Sequence, residues 1–405
     1  MDAGRLTVVG LGADGWPGLG ESARAAVLGA GTIVGSERQL ALVPETGAVR
    51  RLWPSPLDPL VEELAAAPDG STCVLASGDP MLHGIGATLA RRLGPHRLAV
   101  HPHPSAFSLA CARLGWPAAD VELVSIVGRS ADAIAVVLQP GRRIVAYVAG
   151  AAGAASVARA LRERGFGSSP LVVLEQLGGP AERILDSTAA DWGDRAADPL
   201  HAVAIECRPD PATPLLSRSP GLPDEAYETD GQLTKREVRA VTLAALAPAP
   251  DRLLWDVGAG SGSVGIEWLR LEPTARAIAV EVRPDRAECV AANALRLGVP
   301  GLEVRSGEAP EALGDLDPPD AIFVGGGLTT PRLVGACWSA LRGGGRIVAN
   351  AVTLEGEQVL IATRDERGGE LVRIAVDHAE PVGRFTGWRA QRPVVQWRAW
   401  KGGEA

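Results

Sequence analysis

The chain has 405 residues, and 46% of them are hydrophobic, which is enough apolar material for two hydrophobic cores of ordinary domain size. The formal net charge is −8, which argues against a nucleic-acid surface over the whole protein, because phosphate binding needs clustered cations. No apolar run is long enough to cross a membrane, and a strand pattern that begins at Leu6 leaves no room for a signal peptide. We therefore expect a cytoplasmic protein that contacts neither nucleic acid nor membrane.

Apolar runs bounded by Gly or Asp alternate with Ala/Leu/Arg stretches of helical spacing along almost the whole chain. This alternation is typical of parallel sheets with crossover helices, so we predict an α/β fold in both halves. Prolines cluster between Pro209 and Pro223, where neither a helix nor a central strand tolerates them. The sequence therefore predicts domains at 1–210 and 223–405, joined by a Pro-rich linker at 211–222.

The first strand runs into Gly10-Leu11-Gly12-Ala13-Asp14-Gly15, which satisfies the dinucleotide-binding pattern G-x-G-x-x-G. A dinucleotide phosphate would need a helix N-terminus directly after these glycines, but Trp16 and Pro17 continue the chain as a loop. We therefore reject a dinucleotide site here. A second turn, Gly78-Asp79-Pro80-Met81, follows a buried strand, and Gly78 allows backbone groups to face a ligand. A plain turn is the alternative interpretation of that motif.

Three histidines lie near these two turns: His83, His101 and His103. Strand spacing puts His101 and His103 on one face, so a shared metal ion is geometrically feasible. No further Cys, His or Asp completes a ligand set, so we predict polar residues of a cleft and no metal.

In the C-terminal half, a strand at Leu253–Val257 runs into the turn Gly258–Gly262 and then into a helix. Gly260, Gly262 and Gly265 again satisfy G-x-G-x-x-G, so a dinucleotide-dependent dehydrogenase is the competing hypothesis. Asp256, two residues before the first glycine, suits the ammonium group of S-adenosyl-L-methionine and would repel a pyrophosphate. Asp256 therefore favours the sulfonium cofactor.

Two more strand ends carry suitable groups. Glu281 ends the next strand and can accept hydrogen bonds from both ribose hydroxyls, a role shared by NAD and S-adenosyl-L-methionine sites. Gly307 and Ala309 lie in the turn after the third strand, where an adenine edge could be seated. Because parallel strands end at one edge of a sheet, three such ends in succession predict a nucleoside cofactor rather than three unrelated turns.

The C-terminal motifs also carry a family resemblance. The stretches PGLPDE, LTKREVR, DVGAGSGS, SGEAP, IFVGGG and IVANAVTLE resemble the decarboxylating precorrin methyltransferases from about residue 220 to the C-terminus. The resemblance implies a class I (Rossmann-like) methyltransferase domain. It also implies contacts with S-adenosyl-L-methionine from Thr234, Gly258, Ala259, Gly260, Ser261, Gly262, Glu281, Gly307 and Ala309.

The N-terminal motifs resemble a different family. The stretches VVGLGADG, ASGDPMLHGIG, PSAFSLA and VVLEQLG resemble the tetrapyrrole methylases over residues 4–207, most closely the subgroup that methylates precorrin at carbon 5. The resemblance implies two α/β lobes with S-adenosyl-L-methionine in the cleft between them. The implied cofactor contacts come from Gly10, Gly78, Asp79, Met81, Ser105 and Ala106.

The order of the two halves is similar to that of bifunctional enzymes of cobalamin (vitamin B12) biosynthesis. These methylate a precorrin at carbons 5 and 15 and decarboxylate its ring C acetate. The resemblance implies one S-adenosyl-L-methionine per domain, a small-molecule tetrapyrrole substrate and a homo-oligomer. Alternatives are the cobalt-containing substrate, activity in only one half, or methylation of RNA or protein, which would need a broad basic face.

Two sets of cations could hold the substrate's carboxylates. Lys235 and Arg239 lie four residues apart on one helix face, and we predict a two-cation seat for an acetate there. A solvated helix start is the alternative. The tail offers a second set, for which a terminal strand with solvated cations is the alternative: Arg384, Arg389, Arg392, Arg398 and Lys401.

Overall fold

The computed structural model describes residues 5–66 and 70–402. The chain divides into two compact units. The first unit comprises the chain up to Arg129 and Pro140–Thr213, and the second comprises Ser130–Gln139 and the chain from Pro214 onward.

Two features of this division differ from the predicted domains. Ser130–Gln139 belongs to the second unit, where a Cβ added to Gly298 would lie 2.9 Å from that of Ala135. This apolar segment includes the fully buried Ile134, and its burial explains the assignment. Second, the predicted linker at 211–222 is divided at Thr213, and its later residues pack into the second unit: Leu222 is only 2% exposed. Prolines prevent regular structure here but do not prevent packing.

The first sheet of the first unit is parallel and has five strands. Its elements and the helices between them are β1 Leu6–Leu11, α1 Glu21–Leu28, β2 Thr32–Gly35, α2 Glu37–Ala41, β3 Val49–Leu52, α3 Asp58–Ala66, β4 Thr72–Ser77, α4 Ile85–Leu93 and β5 Leu98–His101. The strand order is β3-β2-β4-β1-β5. Apolar clusters cover the sheet, which explains why β1 and β4 are almost continuously apolar rather than alternating.

The second sheet of the first unit is mixed. Its elements are α5 Ala106–Leu114, β6 Val121–Ser125, β7 Arg143–Tyr147, α6 Gly153–Glu163, β8 Pro170–Glu175, β9 Arg183–Thr188, α7 Ala189–Trp192 and β10 His201–Glu206. The order is β6-β7-β10-β8-β9, with β6 and β7 parallel and the other pairs antiparallel. The first unit therefore has two α/β lobes, as the sequence predicts.

The second unit contains a seven-stranded sheet. The elements of this unit are α8 Arg236–Leu246, β11 Leu253–Val257, α9 Ser263–Leu271, β12 Arg276–Glu281, α10 Pro284–Arg296, β13 Glu303–Ser306, β14 Ala321–Val324, α11 Leu333–Ala340, β15 Arg346–Ala351, α12 Leu354–Arg367, β16 Glu370–Ile374, β17 Asp377–Val382, β18 Phe385–Ala390 and β19 Val394–Trp400. All of these strands except β17 and β18 belong to the seven-stranded sheet. The order is β13-β12-β11-β14-β15-β19-β16, and only the pairs with β19 are antiparallel. This is the predicted Rossmann-like arrangement.

This strand order places a topological switch point between β11 and β14. From β11 the chain adds β12 and β13 on one side, and it then crosses to add β14 and β15 on the other. Ligands of open parallel sheets bind in the crevice at the carboxyl ends of the strands at such a point. The turns after β11, β12 and β14 are therefore where a cofactor is expected.

Strands β17 and β18 form a separate two-stranded hairpin. It carries large exposed side chains: Val382, Phe385 and Trp388 are 63%, 67% and 79% exposed. Within the described residues, no helix is both long and apolar enough to span a membrane.

Candidate functional site

The glycine turn after β11 brings backbone groups of several strand ends into contact. Gly258 and Gly260 have φ values of 68° and 60°, which L side chains rarely adopt. A Cβ on Gly258 would lie 2.8 Å from the backbone nitrogen of Gly326, in the turn after β14. A Cβ on Gly260 would lie 3.0 Å from the carbonyl oxygen of Gln232. Glycine is therefore required here, because the turn packs directly against the backbone of Gly326 and Gln232 at the switch point.

Glu281 connects the turns after β11, β12 and β13. Its side chain is 3% exposed and accepts hydrogen bonds from the backbone nitrogen of Gly260 at 2.8 Å and from that of Arg283 at 3.1 Å. Its carbonyl oxygen accepts from the Gly307 nitrogen at 3.0 Å. Because a carboxylate has about four acceptor positions, two remain for ribose hydroxyls. The predicted Glu281, Gly260 and Gly307 thus lie together.

Asp256 is a buried residue near the end of β11. It is 1% exposed, its Oδ2 accepts from the Gly265 nitrogen at 2.8 Å, and its buried Oδ1 has no partner. Burial, with the nearby charge of Glu281 as a smaller cause, raises the pKa of Asp256 to about 7. The carboxyl thus accepts from the first turn of α9 through Oδ2, and its contact with the cofactor's ammonium group stays a prediction. Ser261 is likewise 2% exposed, with a buried hydroxyl that has no partner.

Arg239 corrects a prediction. Its guanidinium is fully buried, and its Nε donates to Glu267 at 2.6 Å, while other N–H groups donate to the carbonyl oxygens of Leu222 and Thr234. Since these donors are already used inside the fold, Arg239 cannot seat a substrate acetate. Its hydrogen bonds instead hold Leu222 and Thr234, in the segment before α8, against α8.

Lys235 shares a carboxylate with Arg239. Lys235 Nζ lies 3.3 Å from Asp224 Oδ2, and Arg239 Nη1 lies 3.4 Å from Asp224 Oδ1. The two cations do lie on one side of α8, but an aspartate of this chain is placed where the acetate was predicted. The Lys235 side chain is 51% exposed, and its part in substrate binding stays a prediction.

Asn293 is a site residue that sequence reasoning missed. Its fully buried amide pairs with both backbone groups of Glu228: Oδ1 accepts from the nitrogen and Nδ2 donates to the oxygen, each at 2.9 Å. The same Nδ2 donates to the Ser261 carbonyl at 3.0 Å. Asn293 therefore ties the segment before α8 to the glycine turn. A lone asparagine within a helical pattern gave no signal of this role.

The cations of the tail are mostly engaged. Arg389 pairs with Glu380 at 3.1 Å, Arg398 Nε donates to Gln396 at 2.6 Å, and Lys401 Nζ donates to the carbonyl oxygens of Ser339 and Leu341. Three of the five cations thus have partners within this chain rather than being only solvated, and a part for the set in holding substrate carboxylates stays a prediction.

In the first unit, the turns after β1 and β4 converge on the loop before α5. A Cβ on Gly10 would lie 2.3 Å from the Gly78 carbonyl oxygen and 2.8 Å from the His103 nitrogen. A Cβ on Gly78, whose φ is 58°, would lie 3.5 Å from the Cα of Ser105. Gly10, Gly78 and Ser105, which were predicted to contact the cofactor, therefore lie together. Ala106, also predicted, directly follows Ser105 as the first residue of α5. Gly10 is required here because the backbones of these segments pack directly against one another.

Asp79, Met81 and Ser105 shape this convergence. Asp79 Oδ1 accepts from the Met81 nitrogen at 2.8 Å, and the Met81 side chain is 46% exposed. Ser105 caps α5 by accepting from the Ser108 nitrogen at 3.0 Å. Ser105 is 4% exposed, and its contact with the cofactor stays a prediction.

The loop after β1 contains a histidine–aspartate contact that the glycine pattern did not suggest. His103 Nε2 lies 3.2 Å from Asp14 Oδ2, and His103 Nδ1 lies 3.1 Å from the Pro104 carbonyl oxygen. Within residues 5–66 and 70–402, no group of three His, Cys, Asp or Glu side chains could hold a metal ion. A three-residue 3-10 helix, Trp16–Gly18, follows these glycines where a loop was predicted, and the first α-helix, α1, begins only at Glu21.

Comparisons with known proteins agree with both sets of motifs. The family of tetrapyrrole (corrin/porphyrin) methylases matches residues 5–192, and the precorrin methyltransferase domain family matches residues 225–401. A precorrin-6Y C(5,15)-methyltransferase [decarboxylating] from Sinorhizobium sp is 46% identical over 399 residues, which cover 98% of this chain and 96% of that protein. One from Mycobacterium tuberculosis (strain CDC 1551 / Oshkosh) is 46% identical over 404 residues, covering 98% and 100%.

A solved structure is also similar to part of the chain. The crystal structure of the C-terminal domain of precorrin-6Y C5,15-methyltransferase from Rhodobacter capsulatus has 47% identity and a TM-score of 0.44, covering 46% of this chain and all of that one. On the near-complete overlap with the two full-length relatives, this chain belongs to the family of decarboxylating precorrin-6Y C(5,15)-methyltransferases.

Proposed function

We propose that this chain methylates a precorrin at carbons 5 and 15 and decarboxylates its ring C acetate, in cobalamin biosynthesis. The observation that carries the proposal is the 46% identity to a relative of that name over 98% of the chain. The metal-free precorrin is the proposed substrate, and the cobalt-containing equivalent is the alternative. Family membership implies S-adenosyl-L-methionine as the methyl donor.

We further propose that each unit binds its own S-adenosyl-L-methionine. The first unit then methylates carbon 5, and the second methylates carbon 15 and decarboxylates. Two separate glycine-rich convergences support this division, one at Gly10 and Gly78 and one at Gly258 and Gly326. Their elements differ: the first has a loop after β1, whereas the second leads directly into α9.

When bound, S-adenosyl-L-methionine supplies an electrophilic methyl group. The proposed acceptors are electron-rich enamine carbons, so the protein needs mainly to align the reactants and exclude water. In the second unit, Glu281 would hold the ribose, and the backbone at Gly258 and Gly260 would lie against the cofactor. Decarboxylation can use the conjugated imine of the ring as electron sink, which leaves the protein to orient and desolvate the carboxylate.

Two variants separate the proposed activities. Gly10→Val would place side-chain atoms against the Gly78 carbonyl, and Gly258→Val would place them against the turn after β14. With precorrin substrate and S-adenosyl-L-methionine, mass spectrometry should find decarboxylated product with one methyl group from Gly10→Val. Gly258→Val should give a singly methylated product that keeps its carboxyl group. Loss of both methylations in either variant, with an unchanged thermal unfolding profile, would contradict the division.

Cytoplasmic location and a homo-oligomer stay predictions. We propose that a second copy of the chain packs on the β17–β18 hairpin and covers the exposed side chains of Val382, Phe385 and Trp388. A two-stranded hairpin on its own is marginally stable in water, so such a contact would also stabilise it.

A further inference from the structure

Arg38 lies at the edge of the sheet where the candidate site of the first unit is found. It is in the first turn of α2, which follows β2 after a single residue. Strand β2 pairs in parallel with β4, so the start of α2 lies beside the turn after β4, which contains Gly78 and Asp79. Carboxyl ends of parallel strands are where such sheets bind ligands.

The guanidinium of Arg38 is held by Ser77, the last residue of β4, just before that turn. Arg38 Nη2 donates to Ser77 Oγ at 3.0 Å, and Gln39 Nε2 donates to the same oxygen at 3.1 Å. Gln39 is itself held by reciprocal hydrogen bonds with Ser36, whose nitrogen donates to Gln39 Oε1 at 2.7 Å. The serine hydroxyl therefore orients the arginine, and a buried capping interaction supports both.

The charge of Arg38 is left without a carboxylate. Within the described part of the chain, no Asp or Glu side chain forms an ion pair with it, whereas Arg50 and Arg51 of the same lobe pair with Glu45 and Glu63. A guanidinium has five N–H donors, and one of them is used here. Half-burial lowers the pKa of Arg38, and no nearby anion offsets this. Such a desolvated, oriented cation is suited to an anionic ligand.

We propose that Arg38 binds a carboxylate side chain of the tetrapyrrole during methylation at carbon 5. This proposal rests on the proposed function of the first unit. Arginine presents a planar pair of N–H groups that matches a carboxylate in a bidentate manner, which lysine cannot reproduce. A chain of net charge −8 needs local cations to hold a polycarboxylate, and Arg38 supplies one at the edge of the site.

The full-length chain and three variants test this role. Arg38→Met removes the charge at similar length, Arg38→Lys keeps the charge but not the fork, and Arg92→Met changes an exposed arginine of α4 as the matched control. Arg38→Met should raise the KM for carbon 5 methylation by roughly 10-fold or more, with a smaller change in kcat. Arg38→Lys should recover part of this, and Arg92→Met should match the parent.

Two further readouts distinguish the source of the carboxylate. Affinity for S-adenosyl-L-methionine, measured by calorimetry, and the reactions at carbon 15 should both stay at parent values in Arg38→Met. A fall in cofactor affinity with an unchanged KM for the tetrapyrrole would assign Arg38 to the cofactor's carboxylate and overturn the proposal. An unchanged KM and affinity in a folded variant would also overturn it. If the parent chain itself fails to methylate carbon 5, the proposed function fails instead.

Discussion

Glu281 combines two tasks in one buried carboxylate. It accepts a hydrogen bond from the Gly260 nitrogen, and we propose that its remaining acceptor positions bind the ribose. Glu281→Ala should weaken cofactor binding in the second unit by about 2–4 kcal/mol, because a buried charged hydrogen bond is lost. Calorimetry on the full chain should therefore resolve one weakened and one unchanged site. Glu303→Ala, an exposed glutamate on β13, is the control, and equal affinities in both variants would remove Glu281 from the site.

Asp256 makes stability depend on pH. Its folded pKa of about 7 lies above the usual value of about 3.9, so the folded state keeps a proton that the unfolded state loses between these values. Its contribution is therefore greatest below about pH 4 and is lost as pH rises to about 7, by up to about 4 kcal/mol.

Asp256→Asn should remove this dependence. Urea unfolding of the cofactor-free chain between pH 4 and about 8 should show a shallower fall in unfolding free energy for this variant than for the parent. Asp251→Asn, at an exposed position before the same strand, should follow the parent curve. Parallel curves for Asp256→Asn and the parent would show that the carboxyl titrates normally.

The sequence predicted which residues lie at strand ends better than it predicted the surroundings of charged side chains. Gly10, Gly78, Gly258 and Glu281 lie at or next to strand ends, as predicted. These positions could be predicted because a strand followed by glycine is a local sequence pattern. Arg239 was misassigned because helical spacing indicates which residues share a face, but not which face is buried. Two of its hydrogen-bond partners, Leu222 and Glu267, lie 17 and 28 residues away in the chain.

The segment before α8 is an element in its own right, although it lacks regular structure. Buried Glu267 accepts hydrogen bonds from the nitrogens of Gly221 and Leu222 at 2.6 and 2.9 Å and from the Tyr227 hydroxyl at 2.9 Å. The sequence marked this stretch as a linker through its prolines. Long-range hydrogen bonds to a buried carboxylate leave no local pattern, so this packing could not be predicted.

Two fragments test the importance of that segment. A fragment from Pro214 onward should unfold cooperatively, whereas one from Glu225 onward should not, because Glu267 and Arg239 would lose buried partners. Both fragments lack Ser130–Gln139, so this loss is matched. Circular dichroism during heating measures the difference. Indistinguishable transitions would mean that the hydrogen bonds to Gly221 and Leu222 contribute little to folding.

At the scale of the whole molecule, the α/β class of both halves followed from alternating apolar and helical stretches. The placement of Ser130–Gln139 in the second unit did not follow, because contiguous sequence favours contiguous domains. The exposure of the apolar side chains on the β17–β18 hairpin could not be predicted either, because apolar residues in a strand pattern are expected to be buried.

That hairpin should mediate self-association. Replacing Phe385 and Trp388 with serine removes two large exposed side chains without opening a cavity in the sheet core. Light scattering coupled to size exclusion should show a homo-oligomer for the parent and a smaller species for the double variant. Ile361→Ser on α12, also an exposed apolar residue, is the control. An equal mass for parent and double variant would exclude this hairpin as the contact.

The central claim is that one chain carries two independent sites for S-adenosyl-L-methionine. Its most direct test is the number of cofactor molecules bound per chain at equilibrium, measured for the parent and for Gly10→Val and Gly258→Val. We predict two for the parent and one for each variant, since each substitution fills a different turn. One molecule per parent chain, or loss of both from a single folded variant, would contradict the claim.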